Sequence, residues 1–336
     1  MWQVNGLTRR LILLALSWLL LPPGHAGEPP PDPLADFLGK MGYLRVELNR
    51  VPVTRRDWPA EGNDLYLDAR VDGRKQRWLL DTGCSITCLN PSAGKRLKTL
   101  AELHRRVKDP VLGTVGGTNF VLIPELQLGA MLLANQPAQV ESLDNRRFLA
   151  NKDALLGIDL LRRNYALIDF LGRSLFLRAR EPSAESVAAV DEVLKRSGWS
   201  AVPLTTDRTL WLFAEVQVQG EPLRLLVDSG CAFTQLDLAT AKRLGLKLEY
   251  MHVTSVGIGD RLADEYKAKV SLAQLAGLSL TNAPVAVVDL TRWQPKEGPP
   301  IDGVIGADWL ALGRGVLDCH ARRLYLTPLY EPKMKH

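Results

Sequence analysis

Two short runs constrain this chain more than anything else in it: Leu79–Ser85 (LLDTGCS) and Leu226–Ala232 (LVDSGCA). Each reads apolar, apolar, Asp, a hydroxyl residue, Gly, Cys, then a small residue. An apolar pair predicts a buried strand, and an acid followed by glycine predicts that the strand ends in a tight turn. One Asp-Thr-Gly is an ordinary turn sequence. Two copies, each closing a buried strand, predict that Asp81 and Asp228 meet across a pseudo-twofold axis.

The flanking sequence repeats as well. Leu38–Leu48 (LGKMGYLRVEL) and Leu194–Leu204 (LKRSGWSAVPL) share leucine, glycine, aromatic, valine and leucine at equal offsets. Both read as the end of a helix stopped by glycine, then a strand. Leu65–Asp81 aligns without gaps to Leu212–Asp228. Val71-Asp72-Gly73 faces Val218-Gln219-Gly220, and both stretches read as β-hairpins. The first copy carries a loop insertion around Val51–Pro59. Beyond the acids, Thr87 matches Thr234, and Lys95-Arg96-Leu97 matches Lys242-Arg243-Leu244. Asn90 before Pro91, and Asp237, are expected to cap short helices. The glycine-bearing stretches Thr114–Asn119 (TVGGTN) and Ser255–Asp260 (SVGIGD) read as hairpin tips. Each copy closes on an apolar pair with glycine, Leu155-Leu156-Gly157 and Val304-Ile305-Gly306. Asp159 and Asp308 follow and are expected to cap the next helix. So many blocks in one order at near-equal spacing mean a duplicated unit.

The domain reading follows from the repeat. Residues 1–26 read as a signal peptide, with basic Arg9 and Arg10, the apolar Leu11–Leu21, and small residues up to Ala26. The apolar run is shorter than the ~20 residues that span a bilayer. Residues 27–34 form a proline-rich linker, 35–180 the N-terminal lobe and 181–192 a second linker whose helix opens the next unit. Residues 193–330 form the C-terminal lobe and 331–336 a tail. The chain carries a net charge of +5, which drops to +3 without residues 1–26, and its Lys and Arg are scattered. That excludes a nucleic-acid partner.

Two carboxylates held close cannot both ionise cheaply, so the pair keeps one proton over a usable pH range. One Asp can then take a proton from water while the other gives one to a carbonyl oxygen. The chemistry is amide hydrolysis without a metal or cofactor. Thr82 and Ser229 carry hydroxyls that can bond to the opposite unit's backbone. Gly83 and Gly230 let the backbone turn tightly with its N–H toward a carboxylate.

The chain resembles the aspartic proteases of the retropepsin and pepsin type, most of all bacterial single-chain members with two retropepsin-like units. The resemblance rests on LLDTG and LVDSG, then LLG and VIG, and covers residues 35–330. It implies a mostly β, bilobal fold of two related lobes with short helices and a cleft between them. It gives the water-activating role to Asp81 and Asp228, and the supporting loops to Thr82, Gly83, Ser229 and Gly230. It implies flaps over substrate at Gly116, Gly117, Gly257 and Gly259. The expected activity is an exported, periplasmic or secreted aspartic endopeptidase acting as a monomer on a peptide or protein. A membrane contact would come only through an uncleaved signal. The competing reading is a non-catalytic peptide-binding or scaffold protein of the same fold. Where the family carries Ala, Ser or Thr after the glycine, this chain has Cys84 and Cys231. A thiol donates weakly, so the pair is expected to titrate higher than in pepsin.

Other sites are poorly supported by the sequence. It has no HExxH and no GxSxG run. Cys84 and Cys88 on a strand would place their Cα atoms ~13 Å apart, too far for a disulfide. The cysteines are therefore read as small apolar side chains.

Overall fold

The computed structural model describes residues 33–54, 62–103, 107–109, 113–115, 118–141, 152–256, 262–291, 293–295 and 298–327. The signal peptide and most of the first linker lie outside them, as do Gly116, Gly117, Gly257 and Gly259.

The fold is mostly β and is built twice. In the first lobe the strands Gly62–Val71, Arg74–Leu80, Ala154–Leu156, Cys88–Leu89, Met131–Val140 and Thr118–Leu128 pair in that order. A further pairing of Thr118–Leu128 with Gly62–Val71 closes them into a barrel. In the second lobe Leu212–Val218, Glu221–Val227, Gly303–Ile305, Gln235–Asp237, Leu278–Val288 and Leu262–Leu275 do the same. Gln217 and Val218 against Gln274 and Ala273 close that ring.

The hairpins turn as the sequence predicts. Asp72 and Gly73 have φ of 48° and 76°, and Gln219 and Gly220 have φ of 53° and 86°. Positive φ at both central residues matches the twist of the flanking strands. Each hairpin's second strand runs parallel to the strand carrying the later apolar pair: Leu79 lies against Leu155 and Leu226 against Val304. A parallel strand covered on both faces needs unbroken apolar sequence, which is why LLD, LLG, LVD and VIG show no alternation. Trp78 and Leu80 point into the large shared core, while Leu79 packs with Tyr66, Cys84, Cys88 and Leu155. In the second lobe Leu225 and Val227 point into the core, and Leu226 joins Trp211, Phe213 and Val304.

A third sheet joins the lobes, in the order Leu44–Glu47, Ser174–Leu177, Leu167–Asp169, Val316–Asp318, Arg323–Leu326, Ser200–Pro203. Three strands come from each half. At its centre Ile168 faces Leu317, antiparallel, on the pseudo-twofold axis. The glycine-stopped helices open both halves of this sheet: Pro33–Lys40 with Gly42 (φ 83°), and Ala184–Arg196 with Gly198 (φ 94°).

Local expectations divide. Asp237 caps its helix by accepting from the N–H groups of Ala239 and Thr240. Asn90 stands at the helix start before Pro91, but its side chain makes no cap bond. Asp159 and Asp308 are not caps either, because Gly157 and Gly306 hold those positions. Their carboxylates reach across to another segment, as described below. The strands beside Gly116 and Gly117 belong to different pairings. Gly113–Val115 pairs with Val107–Asp109, and Thr118–Leu128 pairs with Lys98–Leu103. In the second copy Val256 pairs with Leu262, and the strands between Glu249 and Leu275 form one hairpin.

Candidate active site

Each Asp-hydroxyl-Gly run leaves its strand and turns at once, and the two turns meet. Thr82 and Ser229 are fully buried. The Thr82 hydroxyl donates to the Val227 carbonyl at 2.8 Å and accepts from the Ser229 N–H at 3.0 Å. The Ser229 hydroxyl donates to the Leu80 carbonyl at 2.9 Å and accepts from the Thr82 N–H at 3.0 Å. Four reciprocal bonds therefore tie the residues flanking one aspartate to those flanking the other.

The glycines bring the carboxyls close. A Cβ on Gly83 would sit 2.4 Å from Cγ of Asp228, and a Cβ on Gly230 would sit 2.5 Å from Cγ of Asp81. The N–H groups of Gly83 and Gly230 donate to Asp228 Oδ1 at 3.2 and 2.8 Å. The aspartates also hydrogen-bond each other. Burial, and then the charge of Asp228 beside it, pushes the Asp81 carboxyl well above the usual range. Burial raises Asp228 too, but the Gly230 N–H and the bond from Asp81 oppose it. Both carboxyls are thus pushed upward, which favours a pair that keeps a proton.

Each turn is laced to the later apolar strand. Asp81 N–H donates to Leu156 O and Asp228 N–H to Ile305 O, at 3.1 and 3.0 Å. Ile158 N–H donates to Cys84 O and Ala307 N–H to Cys231 O, both at 2.8 Å. Gly157 and Gly306 permit this approach, since a Cβ on either would fall within 3 Å of the turn backbone. Asp159 and Asp308 complete the lacing. Asp159 Oδ1 accepts from the Thr87 N–H and hydroxyl, both at 2.8 Å, and Asp308 Oδ1 accepts from those of Thr234 at 2.8 and 2.7 Å. Burial lifts the Asp308 carboxyl to about 6, against the donors that surround it.

The cysteines depart from expectation. Residues 81–87 form turns rather than a strand, so Cys84 and Cys88 come together with their sulfurs 3.9 Å apart. Both are buried free thiols. Each donates to the Ile86 carbonyl, and Cys231 donates to the Phe233 carbonyl at 3.0 Å. The contact with Cys88, then burial, pushes the Cys84 thiol well up, so it stays protonated.

Sequence reading missed four residues near the pair. Trp211, 3% exposed, reaches from the second lobe and donates its indole N–H to Gly83 O at 2.7 Å. Its counterpart in the first lobe is Asp64. That carboxylate accepts from the Tyr66 hydroxyl at 3.0 Å and from Lys152 Nζ at 3.1 Å. Lys152 is buried, which lowers its pKa, against the charges of Asp64 and Asp81 nearby. Extending the gap-free alignment by one residue places Asp64 opposite Trp211, and that mismatch was the available signal. Among the described residues no cluster of His, Cys, Asp or Glu could hold a metal ion.

Residues 214–309, which include the LVDSG and VIG runs, match the family model described as aspartyl protease. The chain is 27% identical over 119 residues to DNA damage-inducible protein 1 of Neurospora crassa. That stretch is 35% of this chain and 26% of the relative, so the chain spans about a quarter of that protein's length. Among solved structures, a retropepsin-like aspartic protease from Rickettsia conorii aligns at 21% identity with a TM-score of 0.26, covering 40% of this chain and 90% of that one. Conglutin gamma, a basic 7S globulin from lupine seeds, aligns at 11% identity with a TM-score of 0.42, covering 85% and 95%. Over residues 214–309, which carry one of the two Asp-hydroxyl-Gly turns, the chain is similar to the aspartyl proteases.

Proposed function

We propose that this chain is an exported aspartic endopeptidase that hydrolyses peptide bonds with a water activated between Asp81 and Asp228. One observation carries the reading: two buried carboxyls from opposite lobes hydrogen-bond each other inside a reciprocal backbone lock. A structural turn has no use for two raised carboxyls at one point. A hydrolase does, because the ionised Asp228 can take a proton from water while Asp81 gives its proton to the carbonyl oxygen. The tetrahedral adduct then collapses: the C–N bond breaks as the leaving amine collects a proton from Asp228, and a hydroxyl of the adduct returns its proton to Asp81 as the product carboxyl forms. The pair returns to its one-proton state after each turnover. Gly83 and Gly230 serve by leaving room, since any side chain there would occupy the carboxyls' space.

The substrate is a peptide in extended form, pairing its backbone with strands at the cleft. Export rests on the N-terminal basic and apolar pattern of residues 1–26.

The test is mass spectrometry of a peptide library incubated with the chain lacking residues 1–26 and with its Asp81→Asn and Asp228→Asn variants. Cleavage by the parent should fall by at least ~100-fold in either variant while both melt cooperatively. Equal product from all three would sink the Asp-pair mechanism. A folded parent that holds peptides without cutting them would mark a binding protein instead.

A further inference from the structure

The two lobes are copies, yet the aspartates they present have different neighbours. On the second-lobe side Trp211 is packed edge-on against Phe213, with ring centroids 6.3 Å apart, in an apolar cluster with Leu226, Ile301 and Val304. Its N–H crosses to the first lobe and holds the Gly83 carbonyl at 2.7 Å. The N–H of that same glycine crosses to Asp228 Oδ1 at 3.2 Å while also bonding to Asp81 in its own turn, whereas the Gly230 N–H donates to Asp228. Gly83 is thus gripped at both ends by the second lobe. On the first-lobe side the matching residue, Asp64, is an acceptor occupied by Tyr66 and Lys152, and Lys152 stands where the second lobe has Ile301. A carboxylate cannot donate to the Gly230 carbonyl, so the clamp has no mirror image.

We propose that Trp211 is a positioning residue that makes the two aspartates unequal: by fixing Gly83 it keeps that N–H on Asp228, so that Asp228 is the carboxylate and Asp81 the acid. The inference rests on the proposed protease reading for its consequence in turnover, though not for its test. Among the described residues, the titratable or charged side chains beside the pair include Lys152 and Cys84 near Asp81, Cys231 in the Asp228 turn, and each aspartate for the other. Replacing Trp211 changes the identity of none of these, and Cys231, which packs against the Trp211 cluster, is the one it borders.

The experiment is a carboxyl carbon NMR titration of aspartate-labelled protein, with resonances assigned from the Asp81→Asn and Asp228→Asn variants. The wild type should show two well-separated midpoints, the lower belonging to Asp228. Trp211→Phe keeps the ring and removes the donor. Its lower midpoint should rise by about one pH unit, as expected for a weakened charge-stabilising bond. Trp211→His, which retains a ring N–H, should shift it less. In turnover the Phe variant should lose about tenfold in kcat, less than loss of a donor that touches the reacting oxygen. KM should change little, and the acid limb of the pH profile should move with the midpoint. In the wild type the Trp211 indole proton should follow the Asp228 titration, a readout that needs no variant to fold. Unchanged midpoints in a folded Phe variant, equal shifts in Phe and His, or an indole resonance flat with pH would each overturn the proposal. The titration requires no catalysis. Split midpoints in a protein that cuts nothing would remove the protease reading and leave the clamp, whereas cutting with unsplit midpoints would remove the clamp alone.

Discussion

Thr82→Val probes the lock between the lobes at nearly constant volume. The change deletes one hydroxyl that donates to Val227 O and accepts from Ser229 N–H, both in a fully buried setting. Each backbone group left behind loses its partner without access to water. An unsatisfied buried polar group costs about 1–3 kcal/mol, so the pair costs roughly 2–6 kcal/mol. That is a large share of the ~5–15 kcal/mol that holds a typical protein folded. Thr82→Ser keeps the hydroxyl, and Ser229 already performs the equivalent task in the other half, so this variant should stay within about 1 kcal/mol of the parent. Urea denaturation at pH 7, followed by tryptophan fluorescence, measures both. Turnover should fall in the Val variant and not in the Ser variant, because the same peptide units aim N–H groups at Asp228. A Val variant as stable as the parent, or a Ser variant as damaged as Val, would refute the view that the hydroxyl rather than its methyl does this work.

Other predictions follow from single contacts. Asp308 has its folded carboxyl pKa raised to about 6 from 3.8. Its contribution is therefore fully present below about pH 4 and is lost as pH rises through 6, a change of roughly 3 kcal/mol. Asp308→Asn should accordingly cost more stability at pH 4 than at pH 7 in urea melts, and an equal cost at both would count against burial as the cause. Gly83→Ala would put a Cβ 2.4 Å from Cγ of Asp228, so hydrolysis of a reporter peptide should be lost even in molecules that still fold. Both carboxyls of the pair are pushed upward, so the pH–rate optimum should lie above about 4, the free-aspartate value; an optimum below that would contradict the burial argument. Cys84 and Cys88, buried and 3.9 Å apart as thiols, should resist iodoacetamide in native protein and react fully in denaturant, as read by intact mass.

Most of the architecture was legible because the duplication supplied an internal control. Each hairpin, turn and apolar strand could be read against a second copy, and strands buried on both faces leave an unmistakable apolar run. The reading failed where tertiary contact overrides local pattern. Asp159 and Asp308 look like caps because an acid in a first helical turn usually serves the helix. Here the backbone of Thr87 and Thr234 lies closer and takes both. The stretch after Asp81 looks like a continuous strand, but Gly157 presses against it and bends it, which brings Cys84 back toward Cys88. In the sequence nothing separates Trp211 from a packed aromatic. Its ring is indeed packed, and only the direction of its N–H reveals a second role. Direction is not encoded in periodicity.

The sheet joining the halves has one further consequence. Its middle seam is the antiparallel register of Leu167–Asp169 on Val316–Asp318, and those two segments occupy the same place in the ancestral unit. Either half, severed near Glu181, would therefore bare a strand margin shaped to accept its own likeness. A lone half should associate head to head with its twin, restoring the seam. Joining the halves in one polypeptide released that seam from self-likeness and left each side free to drift on its own course.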